Sequence, residues 1–217
     1  MSAPKGQRIA ILVIAAVMVF GTIGSFAVII LGMQNEEVDL AKAQDEQAEY
    51  QKEQAVYQAK VDEQAKGLSK EYYPVFEKYK NTPSKFNRDN VKELEIKDLK
   101  VGDGKEITDA TQYAAYYIGW NPDGKVFDQS FEGSALKAPL DPSAGLIEGW
   151  NEGVKGMKIG GIRQLSIPSE KAYGEQGAGD DIPPNTPIKF IIMAIEKPET
   201  IEPPAFPESL MGFPGGL

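Results

Sequence analysis

The chain of 217 residues contains neither cysteine nor histidine. Without cysteine there can be no disulfide, thiolate nucleophile, thiolate-bound metal or lipidated cysteine anchor. Without histidine, the usual general base near neutral pH and the commonest zinc ligand are missing too. Positive charge is also scarce. With 23 Lys and Arg against 32 Asp and Glu, the formal net charge is −9. Nucleic acid is therefore not expected as a main partner, since phosphate binding needs clustered Lys and Arg. The glycines from Gly153 to Gly161 do not form G-x-G-x-x-G, and Asp180-Asp181 lack the further ligand spacing of a calcium loop. No cofactor and no metal are expected. Asp, Glu, Tyr, Lys, Ser and backbone groups remain for chemistry.

Charge is missing altogether from one segment. Between Arg8 and Glu36 no residue is charged, and Ile9 to Met33 is almost wholly apolar. A membrane-spanning helix needs roughly 20 such residues, whereas a signal-peptide core has about 7–15. Gly24-Ser25-Phe26-Ala27 loosely resembles a cleavage site, but apolar sequence continues past it. The expectation is an uncleaved transmembrane anchor over 9–33, contacting the lipid bilayer. Lys5 and Arg8 precede it, while Glu36, Glu37 and Asp39 follow. By the positive-inside rule residues 1–8 are cytoplasmic and everything beyond residue 34 is extracytoplasmic.

Residues 34–68 are expected to form a charged helical stalk, being rich in Ala, Gln, Glu and Lys and free of Pro. At 1.5 Å per residue it would extend roughly 50 Å. Tyr50, Tyr57 and Val61 trace a weak heptad that Gln47, Gln54 and Gln64 spoil, which favours a solvated single helix over a coiled coil. Gly67 is expected to end it. Residues 69–90 read as an aromatic, basic connector broken by Pro74 and Pro83. The tail, 198–217, is rich in Pro and Gly and is expected to be disordered.

One globular domain, 91–197, lies between. Leu94 to Val101 alternates with a phase slip at Lys97-Asp98, the mark of a bulged strand. Tyr113 to Trp120 reads as a strand ended by the turn Asn121-Pro-Asp-Gly124. Lys125 to Asp128 is a short strand. Ile147, Trp150 and Val154 share one face of a helix over about 147–155. Ile162 to Ile167 is a further strand, and Ile188 to Ile195 is apolar on both faces, as in a buried central strand. The fold class is α+β: an antiparallel sheet wrapped around one short helix.

The order and spacing of Asp123-Gly-Lys-Val-Phe-Asp128, Ile147-Glu-Gly-Trp150, Gly153-Val154, Gly156-Met157, Gly160, Ile167-Pro168, Ala172-Tyr-Gly174 and Ile182-Pro-Pro-Asn185 resemble those of FKBP-type peptidyl-prolyl cis-trans isomerases. The resemblance spans about residues 92–196. It implies an FKBP-like half-barrel sheet and a prolyl pocket lined by Tyr117, Phe127, Leu146, Ile147, Trp150, Ile182 and Phe190. It further implies that Trp150 is the floor and that the Tyr173 hydroxyl and the Ile147 N–H bind substrate carbonyls. Asp128 would orient the imide at the edge. Where the family often has a further aromatic wall, this chain offers Leu136, or Ala138 under another alignment, and Asp181 replaces an apolar residue. Proline-containing polypeptides are the implied substrates, with macrolide inhibitors as further candidate ligands.

The implied chemistry suits what the chain lacks. Amide rotation faces a barrier of about 18–20 kcal/mol from C–N resonance, and X–Pro isomers exchange over tens to hundreds of seconds. The twisted transition state is less dipolar than the planar imide, so a dry aromatic surface withdraws water's preference for planarity. No proton need move. The expectation is a prolyl isomerase acting on extracytoplasmic proteins. The competing expectations are a non-catalytic proline-binding chaperone or tether using the same surface, or a structural spacer.

Overall fold

The computed structural model describes residues 37–207. The expected anchor at 9–33 and the last ten residues of the tail lie outside the described residues. Among the described residues, no helix is long and apolar enough to cross a membrane. They divide into two compact units, the first including 37–58 and 202–207, the second Ala59–Ile201. In the first unit the Tyr50 and Phe206 rings meet edge to face, 5.4 Å apart.

Helix α1 runs Glu37–Phe76, so it does not stop at Gly67 as the sequence suggested. A glycine inside a helix costs about 1 kcal/mol relative to alanine. Burial of the residues that follow it offsets that cost. Ser69 and Phe76 are buried, with Phe76 fully enclosed, and Phe76 stacks on Phe131 at 5.1 Å and 9°. Tyr72 and Tyr73 pack their rings against Tyr116 and Phe131. Much of the connector is thus the last turns of α1. Pro74 falls within the final turn, and a short 3-10 turn, Glu77–Tyr79, ends the element.

The second unit holds a five-stranded antiparallel sheet in the order β1-β6-β7-β2-β3. The strands are β1 Glu95–Lys100, β2 Tyr113–Trp120, β3 Val126–Gln129, β6 Ile162–Ile167 and β7 Ile188–Glu196. The bulge in β1 lies between Asp98 and Lys100, slightly later than the phase slip placed it. A two-stranded ribbon, β4 Phe131–Glu132 and β5 Ala135–Leu136, follows β3. Helix α2 is Glu148–Gly153, shorter than its periodicity predicted.

Side-chain alternation splits the sheet into two apolar faces. Tyr113, Ala115, Leu165, Ile167, Ile188, Phe190 and Ile192 pack with Trp150 and Val154 of the α2 region. Tyr116, Ile118, Trp120, Ile191, Met193 and Ile195 pack with Phe76 under the end of α1. The two-sided apolarity of β7 reflects this double covering.

Candidate functional site

Two glycines bring α2 close to the sheet. A Cβ on Gly149 would stand 2.3 Å from Ile167 Cγ2, and one on Gly153 would stand 2.6 Å from Leu165. They are four residues apart, on one helix face. Alanine at Gly149 would strike Ile167 and crowd the Lys171 carbonyl, and alanine at Gly153 would displace the tip of Leu165. Arg163 of β6 fixes the other end of α2. Its guanidinium donates to the Gly153 and Lys155 carbonyls at 2.9 and 3.0 Å and pairs with both oxygens of Asp98. The terminal carbonyls of the helix therefore have a buried cationic donor.

This close approach sets Trp150 into the sheet. The indole is 2% exposed, and its N–H donates to the Tyr113 hydroxyl at 3.2 Å. Phe190 lies edge-on at 5.2 Å, and Tyr117 at 5.6 Å. Phe127 meets Phe190 edge-on at 5.5 Å. Such perpendicular pairs suit the ring quadrupoles. Trp150, Phe190 and Ile182 are buried, while Tyr117, Phe127, Leu146, Ile147 and Tyr173 are half-buried around them. The result is an apolar floor with an aromatic rim.

Gly119 makes that rim possible. A Cβ there would lie 2.4 Å from the Phe190 ring and 2.7 Å from that of Phe127.

At the edge, Asp128 is exposed. Its Oδ2 accepts from the Tyr117 hydroxyl at 2.6 Å, and its Oδ1 accepts from the Gln129 N–H at 2.8 Å. Burial, and then the bond to Asp128 and its charge, push the Tyr117 phenol well above its ordinary pKa. Tyr117 therefore stays a proton donor, and its ring is fixed by the carboxylate it serves. Ile147 sits at the N-cap of α2 with extended backbone, its carbonyl accepting from Trp150 and Asn151. That is where helix N–H groups lack partners within the helix.

The loop 173–185 is tied into place. Gly177 N–H donates to the Tyr173 carbonyl, Asn185 N–H to that of Gly174, and Ala178 pairs with Ile182. The β2–β3 turn grips it from outside. The Asn121 side-chain amide donates to the Asp181 carbonyl at 2.8 Å, and Lys125 pairs with the Asp181 carboxylate.

Nine of the ten predicted site residues are thus brought to one face of the sheet, at its floor, rim or edge. Leu136 is not. It is buried in the opposite cluster with Phe76 and Phe131, and its N–H donates to Ser69 Oγ at 2.8 Å. The end of α1 draws the ribbon to that face, which the assignment of Leu136 to a pocket wall had not allowed for. Sequence reasoning also missed Tyr113, Gly119, Asn121 and Lys125. The buried Asn at the head of Asn121-Pro-Asp-Gly124 was a usable signal, since such a residue caps its own turn; its Oδ1 accepts from the Asp123 and Lys125 N–H groups.

Residues 103–195 match the family described as FKBP-type peptidyl-prolyl cis-trans isomerase. An "FK506-binding protein" of Neisseria meningitidis is 43% identical over 100 residues, covering 45% of this chain and 89% of the relative. A "Probable FK506-binding protein" of Corynebacterium glutamicum is 42% identical over 102 residues, covering 46% of this chain and 83% of the relative. A solved structure titled "Crystal structure of AtFKBP13" is 35% identical, covers 48% of this chain and 93% of that one, and has a TM-score of 0.43.

Proposed function

Given that the chain belongs to the FKBP-type peptidyl-prolyl cis-trans isomerase family, we propose that its aromatic floor and rim accelerate X–Pro rotation in extracytoplasmic polypeptides. The observation that carries this is the floor itself: Trp150, buried and pinned through its N–H, with Phe190 and Tyr117 set edge-on around it.

A pyrrolidine ring laid on this surface leaves water, and the planar imide loses the solvation that favours it over the twisted form. The Ile147 N–H and the Tyr173 hydroxyl hold the flanking carbonyls. That fixes the chain on both sides of the bond that turns. Asp128, oriented by Tyr117 and its own strand, places a carboxylate beside the imide carbonyl edge. Its negative field disfavours the dipolar planar form more than the twisted one. No covalent intermediate and no proton transfer are needed.

The test is a protease-coupled assay on a proline tetrapeptide, comparing the full-length chain with Tyr173→Phe and Asp128→Val. Losing the Tyr173 hydrogen bond, worth about 0.5–1.5 kcal/mol, should lower kcat/KM about two- to tenfold, and Asp128→Val, which removes the carboxylate field and leaves the Tyr117 hydroxyl without its acceptor, should lower it as well. Undetectable turnover by the unmodified chain would remove the enzyme reading. Retained proline-peptide affinity in that case would leave the chaperone or tether. A macrolide of the kind named for the relatives should compete for the same floor.

Location rests on sequence: the uncharged run over 9–33 and the basic residues before it support an anchor with the isomerase outside. A fusion of alkaline phosphatase to the C-terminus should be active. Activity instead from a fluorescent-protein fusion that folds only in the cytoplasm would reverse the topology.

A further inference from the structure

A concavity adjoins the floor of the site. It has a volume of about 790 Å³ and lies between the Ile107–Tyr113 segment, the Asp141–Leu146 loop and the outward face of α2. Ligand sites commonly span about 300–1,000 Å³, so this groove has room for several residues of extended chain.

The groove is continuous with the site. Leu146 lines it and also packs with the aromatic floor. Tyr113 lines it too and accepts the Trp150 indole hydrogen bond. Two solvent-exposed ion pairs lie among its lining residues. Lys155 at the end of α2 pairs with Asp109 at 2.6 Å, and Lys197 beyond β7 pairs with Asp141 at 3.0 Å.

The lining chemistry selects an occupant. Apolar edges of Ile107, Leu146 and Val154 lie beside Gln112, whose amide offers a donor and an acceptor, and beside Thr108 and Asn151, whose side chains also bond to Thr111 and to the Leu146 carbonyl. That mixture fits a peptide backbone with mixed side chains. Four carboxylates line the groove; Asp109 and Asp141 pair with Lys155 and Lys197, and Glu148 and Glu152 share Lys171, so four acids against three lysines leave a small negative excess that disfavours anions such as phosphate. Resting on the isomerase reading, we infer that this groove holds the polypeptide segment next to the isomerised prolyl bond, with neutral or basic side chains. The isomerase then discriminates among proteins by sequence several residues away from proline.

The experiment measures kcat/KM of the full-length chain by fluorine NMR exchange on a fluoroproline tetrapeptide. The same tetrapeptide is extended by six Gln and Lys residues on one side, then on the other. Gln112→Trp and Ser143→Trp each place an indole in the groove, from opposite walls and outside the catalytic surface. Expected is an advantage of about tenfold for one extended peptide, worth about 1.4 kcal/mol of added transition-state binding. Whichever variant melts as the unmodified chain does should lose that advantage and keep its tetrapeptide rate. Equal rates on all three peptides would overturn the inference, as would folded variants that keep the advantage or lose the tetrapeptide rate in parallel. A chain inert on the tetrapeptide itself would instead sink the isomerase reading first.

Discussion

Replacing Gly119 by alanine tests whether ring placement, rather than apolarity alone, drives the reaction. The added Cβ would lie 2.4 Å from Phe190 and 2.7 Å from Phe127. Ordinary contacts begin at 3.4 Å, so the rings must retreat by about 1 Å. Phe190 has little room, because Trp150, Tyr117 and Phe127 already stand 5.2, 6.1 and 5.5 Å away around it. Phe127 is half-buried and can swing outward. The strain is therefore resolved largely at the rim, and the overpacking cost should be about 1–3 kcal/mol.

Rim displacement is expected to matter more for rate than for folding. A misplacement of about 1 Å can cost on the order of 10²-fold in rate, and an apolar wall should lose less than a directional contact. The expectation is a kcat/KM about 10- to 100-fold lower on the tetrapeptide, with a modest fall in the urea midpoint. Gly133→Ala is the control. It sits at φ +60° with open space around it, so it strains the β4–β5 turn by about 1 kcal/mol and leaves the floor alone. Full activity in Gly119→Ala at an unchanged midpoint would refute the argument that these rings are placed by the missing Cβ.

Arg163→Met should destabilise the domain by about 2–4 kcal/mol in urea melts, because it removes four charge-assisted bonds and leaves the buried Gly153 carbonyl at the end of α2 and the part-buried Lys155 carbonyl just past it without their donor. The penalty stays below that of a fully buried pair because Asp98 is 43% exposed. Tyr116→Phe should be neutral or stabilising by about 1 kcal/mol. The Tyr116 hydroxyl is buried without a hydrogen-bond partner among the described residues, so a measured loss above that amount would expose a hidden partner. Burial raises the phenol pKa of Tyr113, Tyr116 and Tyr117 in the folded chain. Their contribution is complete below the unfolded value of about 10 and is lost as pH climbs through the folded values. Stability should therefore fall above pH about 10, and more gently in Tyr117→Phe; identical alkaline slopes would deny the effect. Asp181→Ala should leave the melt nearly unchanged, as its partner Lys125 is largely solvated, yet raise KM several-fold by loosening the 173–185 loop.

Most of the sheet was legible because its central strands are short apolar runs bounded by turn residues. Tyr113–Trp120 and Ile162–Ile167 have the bounds their apolar runs suggested. The candidate site residues came from a different source, the resemblance to the FKBP family carried over position by position, and the structure gathers Trp150, Phe127 and Tyr173 in one cluster with Asp128 at its edge. What escaped was tertiary. Gly67 and Pro74 look like stops, and local propensity supports that reading, but three aromatic residues and a serine near them bury against β2 and the β4–β5 ribbon. No pattern within residues 69–76 names the surface they cover. The signal lay in β2, where Tyr116, Ile118 and Trp120 face away from Trp150 and are just as apolar as the side that meets it. A strand apolar on both faces requires two coverings. Once α2 is assigned to one face, the other needs its own covering, which the aromatic end of α1 supplies together with Phe131 and Leu136 of the β4–β5 ribbon. The same reasoning places Leu136: a residue whose neighbour Phe131 stacks on Phe76 belongs to the covering of the far face, and cannot also wall the site.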